Sequence, residues 1–198
     1  MIHALPGMGA DRRMFPRPWE SLPSFAAHNW PPYRGERDLP ALARQVVEHF
    51  GIQDQDTVIG ASLGGMVACE IARIRNLRAL FLVGSATHRQ EINRFFSLLH
   101  PLAAVTPWKT LRRAARHLPH DFTLMFADSD TDFVRAMCHA VFQWKGLHSS
   151  STPCYRLHGR KDRIIPCPPA PDLALEGGHL ISMTHAAECA AFIANQLS

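Results

Sequence analysis

One stretch, from Thr57 to Ala68, constrains the fold of this chain more than any other. It begins as an apolar, β-branched run, continues through Gly60-Ala61-Ser62-Leu63-Gly64, and then takes up the apolar periodicity of a helix. The pattern predicts a sharp turn between a buried strand and a helix, with Ser62 at the turn and the helix N-terminus directed at it. A Cβ atom at Gly60 or Gly64 would block such a turn. An ordinary glycine-rich turn with an incidental serine would give the same pattern, so the choice between the two interpretations depends on the rest of the chain.

Short apolar segments alternate with helical patterns along most of the chain. Besides 57–61, the predicted strands are 2–5, 25–30, 77–84, 155–158 and 172–175. Helices are predicted around Met14 and Trp19, from the Asp38 cap to Gly51, from 64 to 74, and after a Thr184 cap near the C-terminus. Such alternation predicts one α/β domain over residues 1–198 with a mainly parallel, six-stranded sheet.

The segment 88–151 departs from this alternation. It contains helical patterns at 91–100, 108–117 and 131–144 but no convincing strand. Its place between two sheet strands predicts a helical cap inserted over one edge of the sheet. The alternative is a pair of ordinary crossover helices joined by loops.

Composition excludes several classes of protein. No apolar run approaches the roughly 20 residues that span a bilayer, and the N-terminus lacks the pattern of a signal peptide, so we expect a cytoplasmic protein without a membrane partner. Five scattered cysteines without a C-x-x-C pair favour reduced thiols over disulfides or a zinc site: Cys69, Cys138, Cys154, Cys167 and Cys189. The net charge of +4 lies largely in 109–117 and at Arg73, Arg75 and Arg78. We interpret these residues as solvated helix faces and predict no nucleic-acid partner.

Three predicted strands end in residues that can act together. Ser62 follows the third strand, Asp162 lies shortly after the fifth, and His179 follows Gly177-Gly178 after the sixth. A serine becomes a nucleophile when a neutral histidine takes its proton, and a carboxylate can fix the tautomer of that histidine. Asp172 is the alternative acid, but it begins a strand at the opposite edge of the sheet, so we prefer Asp162.

Other polar residues are given structural interpretations. His88 and His158 lie near strand ends and could line a pocket, whereas His185 is assigned to the last helix. A metal site is conceivable where three aspartates lie near two histidines, but their spacing fits no calcium loop or helix-borne motif. We therefore expect a solvated helix start there and predict no metal and no cofactor; the residues are Asp128, Asp130, Asp132, His120 and His139.

Four segments of the sequence together resemble those of small α/β hydrolases. Gly-Ala-Ser-Leu-Gly-Gly-Met resembles the nucleophile turn, His-Gly-Arg-Lys-Asp-Arg-Ile-Ile-Pro the acid segment, and Gly-Gly-His-Leu-Ile-Ser-Met-Thr-His the histidine segment. Leu5-Pro6-Gly7-Met8-Gly9 resembles the oxyanion loop, with Pro6 where many members have histidine. The resemblance implies a three-layer α/β-hydrolase sandwich in which Ser62, Asp162 and His179 are catalytic.

The same resemblance implies an oxyanion hole formed by the backbone N–H groups of Met8 and Leu63. Two departures from the family pattern imply a trimmed member. The chain starts directly at the strand before the oxyanion loop, without the usual opening hairpin, and the proline-rich stretch 166–171 cannot form the helix that usually precedes the last strand.

The expected activity is hydrolysis of a carboxylic ester or thioester of a small, mostly apolar molecule through an acyl-enzyme on Ser62. Acyl transfer or lyase chemistry with the same residues, and a catalytically silent binding protein, are the alternatives. The preference for an apolar substrate rests on side chains of the predicted cap, most of which must also pack onto the core: Phe95, Phe96, Leu98, Leu99, Phe122, Met125, Phe126, Phe133, Met137, Phe142 and Trp144.

Overall fold

The computed structural model describes residues 1–93, 120–147 and 150–198. Its strands are β1 (Ile2–Leu5), β2 (Phe25–Ala27), β3 (Thr57–Ala61), β4 (Ala79–Val83), β5 (Cys154–Gly159) and β6 (Leu173–Leu175). Its α-helices are α1 (Leu39–Phe50), α2 (Leu63–Ile71), α3 (His120–Asp128), α4 (Thr131–Gln143), α5 (Ile181–Thr184) and α6 (Ala186–Leu197).

The six strands form one sheet in the order β2-β1-β3-β4-β5-β6, and every pairing is parallel. Thr57 pairs with Ile2 on one side and with Ala79 on the other, which places β3 inside the sheet. The carboxyl ends of parallel strands share one edge, so the residues that follow β3, β5 and β6 are brought to the same edge. The predicted six-stranded sheet is confirmed.

Side chains pack on both faces of this sheet and give the molecule three layers. On one face α1, α2 and α4 contribute to a core cluster that includes Leu42, Val67 and Met137. On the other face, α5 and α6 pack with a short 3₁₀ helix in a second cluster that includes Trp19 and Ile193. The inner strands β3 and β4 are fully buried, as parallel strands covered on both faces are. The predicted α/β-hydrolase sandwich is confirmed.

The helix boundaries follow the sequence where capping chemistry is clear. Asp38 accepts a hydrogen bond from the Ala41 N–H at 2.7 Å and begins α1. Gly51 ends it with a φ of 66°. Both ends of α1 agree with the prediction.

Other boundaries differ from the prediction. Strand β2 ends at Ala27 rather than at residue 30, and α2 ends at Ile71 rather than at 74. In place of one helix around Met14 and Trp19 there are two 3₁₀ helices, Arg12–Met14 and Arg17–Ser21. Prolines flank and enter the second one, and because a proline has no N–H it cannot continue an α-helix.

The C-terminal helix also differs, because Thr184 does not cap it. Thr184 is the last residue of α5, and its hydroxyl donates a hydrogen bond to the Leu180 carbonyl, so α6 begins separately after His185. Of the predicted cap, the structure describes a 3₁₀ turn at Arg89–Glu91 and the helices α3 and α4. Helix α4 agrees with the predicted helix at 131–144, whereas α3 was not predicted.

The remaining predictions for residues 88–151 fall partly outside the described residues. The helix at 108–117 and most of the one at 91–100 lie there, as do Phe95, Phe96, Leu98 and Leu99. The extent of a cap domain stays a prediction. All five cysteines are free. In the parts of the chain that the structure describes, no helix has the length and apolar character to cross a membrane.

Candidate active site

Ser62 occupies the turn between β3 and α2 with an unusual backbone conformation. Its φ is 51° and its ψ is −117°, a region that residues with a side chain rarely adopt. The Ser62 N–H donates to the Val83 carbonyl, and the Ser62 carbonyl accepts from the Ser85 hydroxyl at 2.6 Å. These contacts hold the strained residue in place.

The glycines on either side of Ser62 are required by close backbone approaches. A Cβ atom at Gly60 would lie 2.4 Å from backbone atoms of Gly64 and Gly65. A Cβ atom at Gly64 would lie 2.3 Å from the Leu5 carbonyl oxygen. The predicted reason for both glycines is therefore correct, and the turn is packed directly against the end of β1.

Ser62, His179 and Asp162 form a hydrogen-bonded chain. The Ser62 Oγ lies 2.9 Å from the His179 Nε2, and the His179 Nδ1 lies 2.8 Å from the Asp162 Oδ2. Because a carboxylate can only accept, Nδ1 carries the hydrogen and Nε2 is free to accept the Ser62 proton. The structure thus brings together the three side chains that the sequence singled out.

The Asp162 carboxylate is buried and held by several donors. Its Oδ1 accepts hydrogen bonds from the backbone N–H groups of Ile164 and Ile165 at 2.9 and 3.0 Å. Burial by itself would raise the pKa of Asp162, but hydrogen bonds from His158, His179 and the Ile165 N–H hold that pKa well below its ordinary value. Asp162 is therefore an anion with a fixed orientation, suited to hold an imidazole.

His158 has a place that sequence reasoning missed. It is fully buried rather than pocket-lining, with its Nε2 2.7 Å from the Ile165 carbonyl oxygen and 3.4 Å from the Asp162 Oδ2. A carbonyl only accepts, so Nε2 carries the hydrogen, and the Nδ1 of this ring has no hydrogen-bond partner among the described residues. The spacing of four residues from Asp162 at a strand end is the signal in the sequence that could have pointed to it.

The loop after β1 lies beside the Ser62 turn. A Cβ atom at Gly7 would lie 3.4 Å from the Ser62 Cβ, so the loop passes directly next to the serine. Gly9 has a φ of 65°, and the ring of Phe126 from α3 fills the space where its side chain would be. Met8 lies between these glycines, and Leu63 is the first residue of α2, where an N–H has no carbonyl in the preceding turn to bond.

Two side chains anchor the Gly7 peptide groups. The indole Nε1 of Trp30 donates to the Gly7 carbonyl oxygen at 3.0 Å, and the Gly7 N–H donates to the Met14 sulfur at 3.1 Å. The Trp30 ring in turn packs against Phe133 of α4, with ring centroids 5.4 Å apart. The loop conformation is thus set by Trp30, which follows β2, and by Met14 of the first 3₁₀ helix.

A cavity of about 280 Å³ opens next to this loop. Its walls come from the loop at 9–11, from the segment 29–33 and from the ends of α3 and α4, and they include the rings of Trp30, Tyr33 and Phe133. Asp11 and Asp128 at its rim are both bound by Arg13, so their charges are paired within the protein.

The other polar residues considered from the sequence lie elsewhere. Asp172 accepts a hydrogen bond from the Arg156 N–H at the start of β6, away from His179. Asp130 caps α4, as expected for a helix start, and Asp132 pairs with Arg135. The His88 side chain contacts the Thr87 hydroxyl, and that of His185 contacts the Thr184 hydroxyl.

A family model described as the alpha/beta hydrolase family matches residues 2–192. A comparison with curated proteins finds no match to this sequence.

Several solved structures share the fold at low sequence identity. An enol-lactonase from Burkholderia xenovorans has a TM-score of 0.78 and 15% identity, covering 99% of this chain and 90% of its own. An esterase from Thermogutta terrifontis has a TM-score of 0.72 and 18% identity, covering 99% and 88%. A thioesterase from the prodiginine pathway of Streptomyces coelicolor has a TM-score of 0.70 and 19% identity, covering 98% and 84%.

These neighbours agree with the architecture, and the family model spans nearly the whole chain. The predicted resemblance and the predicted enzyme class are therefore confirmed, and this chain belongs to the α/β hydrolase family.

Proposed function

We propose that this protein is a serine hydrolase that cleaves a carboxylic ester or thioester of a small, mostly apolar substrate. The observation that carries the proposal is the hydrogen-bonded chain from the Ser62 Oγ through His179 to the buried Asp162. An ordinary glycine-rich turn would have no need of a histidine and a carboxylate aligned behind its serine. The neighbours named as esterase, enol-lactonase and thioesterase support the same class of bond.

The proposed first half-reaction forms an acyl-enzyme. The Ser62 Oγ attacks the substrate carbonyl carbon while its proton passes to the His179 Nε2, and the carbonyl electrons move onto the oxygen. The N–H groups of Met8 and Leu63 are assigned to stabilise this oxyanion, together with the N-terminus of α2. Collapse of the intermediate breaks the bond to the leaving alcohol or thiol, which takes the proton from His179.

The second half-reaction restores the enzyme by hydrolysis. Water attacks the acyl carbon, gives a proton to His179, and the resulting intermediate breaks its bond to the Ser62 Oγ as that oxygen regains a proton. Asp162 stays ionised throughout, since its pKa lies well below its ordinary value. Its part is to orient His179 and to balance the imidazolium that forms twice in each cycle.

The cavity beside the loop supports a substrate with an apolar group. Its aromatic walls favour an apolar group, and three carboxylates also line it: Asp11 and Asp128 are paired with Arg13, and Asp130 accepts from backbone N–H groups at the start of α4. The location in the cytoplasm and the absence of nucleic-acid and membrane partners stay predictions from the sequence.

The test of this proposal is covalent labelling of Ser62. Incubation with a fluorophosphonate should add one phosphonyl group to the wild type, measured by intact mass, and none to Ser62→Ala. Ser62→Ala should also lower kcat for p-nitrophenyl acetate by about four orders of magnitude or more. An unlabelled wild type, or equal labelling of the alanine variant, would overturn the assignment of Ser62.

A further inference from the structure

The Gly7 carbonyl and the Met8 N–H belong to one planar peptide group. In a trans peptide these two groups point in opposite directions, and no cis peptide bond occurs in the described chain. Whatever fixes the direction of the Gly7 oxygen therefore also fixes the direction of the Met8 N–H. This link matters because that N–H is one of the two proposed oxyanion donors.

The peptide group needs an outside anchor because it follows a glycine. A Cβ atom at position 7 would lie in contact with Ser62 and Met14, and without one the backbone can rotate more freely than at other residues. Rotation of this group would change the direction of the Met8 N–H. Among the described residues, two donors hold the carbonyl oxygen: the Trp30 indole at 3.0 Å and the Ala10 N–H at 3.2 Å.

Of these two donors, only the indole comes from outside the loop. The Ala10 N–H belongs to the same turn and would move with it, whereas Trp30 stands on the segment after β2. Its ring is held by Phe133 of α4, so the direction of its N–H is set by the packing of a separate element. This arrangement connects the loop to the main body of the fold.

We propose that Trp30 is a positioning residue for the reaction: its indole N–H holds the Gly7 carbonyl so that the Met8 N–H stays directed at the oxyanion. The inference rests on the proposed hydrolase function. Trp30 acts through the peptide group and needs no contact with the substrate carbonyl. A donor displaced by a fraction of an ångström loses much of its effect, because oxyanion stabilisation depends on preorganised geometry.

The experiment compares two replacements that remove the N–H but keep an aromatic ring. Trp30→Phe is the simple variant, and incorporation of 3-benzothienylalanine at position 30 replaces the N–H by sulfur with nearly the same shape. Both should lower kcat for p-nitrophenyl acetate by about ten- to a hundredfold, with KM changed less than about twofold. A trifluoromethyl ketone inhibitor should bind more weakly by the same factor as kcat/KM falls.

Trp19→Phe is the matched control, because it also removes an indole N–H that donates to a backbone carbonyl, that of Ser182 at 2.8 Å, and Trp19 packs on the other face of the sheet from Trp30. Its kcat should equal that of the wild type. If the benzothienyl protein retains full kcat while Trp30→Phe does not, the ring serves only packing and the inference is wrong. If the wild type fails to react with the fluorophosphonate, the hydrolase proposal fails first. If Ser62 is labelled and both position-30 variants have a normal kcat, only the proposed role of Trp30 is overturned.

Discussion

Asp162 determines which nitrogen of His179 carries the hydrogen. One carboxylate oxygen accepts from two backbone N–H groups, and the other accepts from the His179 Nδ1. In Asp162→Asn, the amide oxygen should keep the backbone donors, which turns the NH₂ group towards His179. Nδ1 must then accept, so the hydrogen moves to Nε2, where it faces the Ser62 hydroxyl and the ring cannot take the Ser62 proton.

We therefore expect Asp162→Asn to fold normally and to lose ester turnover by up to about four orders of magnitude. Steady-state rates with p-nitrophenyl acetate and a thermal melt measure both properties. Asp172→Asn is the matched control, since Asp172 lies at the other end of the neighbouring strand and its carboxylate accepts from the Arg156 N–H, away from His179. Near-normal turnover in Asp162→Asn would assign the acid to another residue.

Among single residues, the sequence predicted those that follow strand ends. It missed those whose place depends on a contact with another part of the fold. Ser62, Asp162 and His179 follow three strands of one parallel sheet, so topology alone brings them together. His158 touches Asp162 from within β5, and Trp30 reaches the Gly7 carbonyl across the fold. The Trp30 contact has no local pattern, because it depends on how separate elements pack, whereas the only signal for the His158 contact is its four-residue spacing from Asp162.

Between elements, one buried polar contact joins α2 to the end of α4. The Trp144 indole donates to the Glu70 carboxylate at 2.8 Å, and the other Glu70 oxygen accepts from Arg73 at 3.0 Å. Glu70 is buried in α2, the helix that begins beside Ser62. The contact thus links the segment between β4 and β5 to α2, the helix that follows Ser62.

Trp144→Phe should lower the free energy of unfolding by about 1 to 3 kcal/mol, because it leaves a buried Glu70 oxygen without its donor. Urea unfolding measures the change. Hydrogen exchange followed by mass spectrometry should also become faster in the 131–143 peptide. Trp19→Phe is the control: the Trp19 indole donates to the Ser182 carbonyl at 2.8 Å on the other face of the sheet. It should lose similar stability without faster exchange in α4, and equal exchange in both variants would contradict the local role of Glu70.

The elements themselves were predictable where caps or prolines define them. Asp38 and Gly51 cap the two ends of α1 as expected. Thr184 was predicted to be a cap, but its hydroxyl bonds to the turn before it instead. A threonine hydroxyl can bond the backbone on either side, and the sequence does not say which bond forms. The C-terminal helical segment is divided at His185, directly after this threonine.

Away from the proposed active site, the buried His3 forms a pair with the half-buried His28. The His3 Nδ1 lies 2.9 Å from the His28 Nε2, and the His28 ring stacks on Phe50 with centroids 3.9 Å apart. Burial and the nearby His3 and His49 lower the pKa of His28 to about 4. Burial also lowers the pKa of His3, and Asp56 offsets this only in part.

This pair should make the whole molecule less stable in mild acid. Because the pKa values of both rings are lowered in the folded protein, they take up protons less readily there than in the unfolded chain, where they do so below about pH 6.5. The unfolded state then binds more protons, so the free energy of unfolding should fall as the pH falls from about 6.5 towards 4. Urea unfolding at several pH values across this range measures the slope.

His28→Gln should flatten that dependence, because glutamine can still bond His3 but does not titrate. His49→Gln, a change at an exposed neighbour, is the control and should leave most of the slope. Parallel curves for the wild type and His28→Gln would show that the acid sensitivity arises elsewhere in the molecule.

The parallel sheet has a consequence for how this protein is made on the ribosome. Strand β4 pairs with β5, and Leu80 has Cys154 as its partner. Until Cys154 has been synthesised, that side of β4 is an unpaired apolar edge. Asp162 and His179 emerge later still. Ser62 is therefore present in the nascent chain long before the residues that would activate it, and the proposed chemistry cannot begin on an unfinished protein.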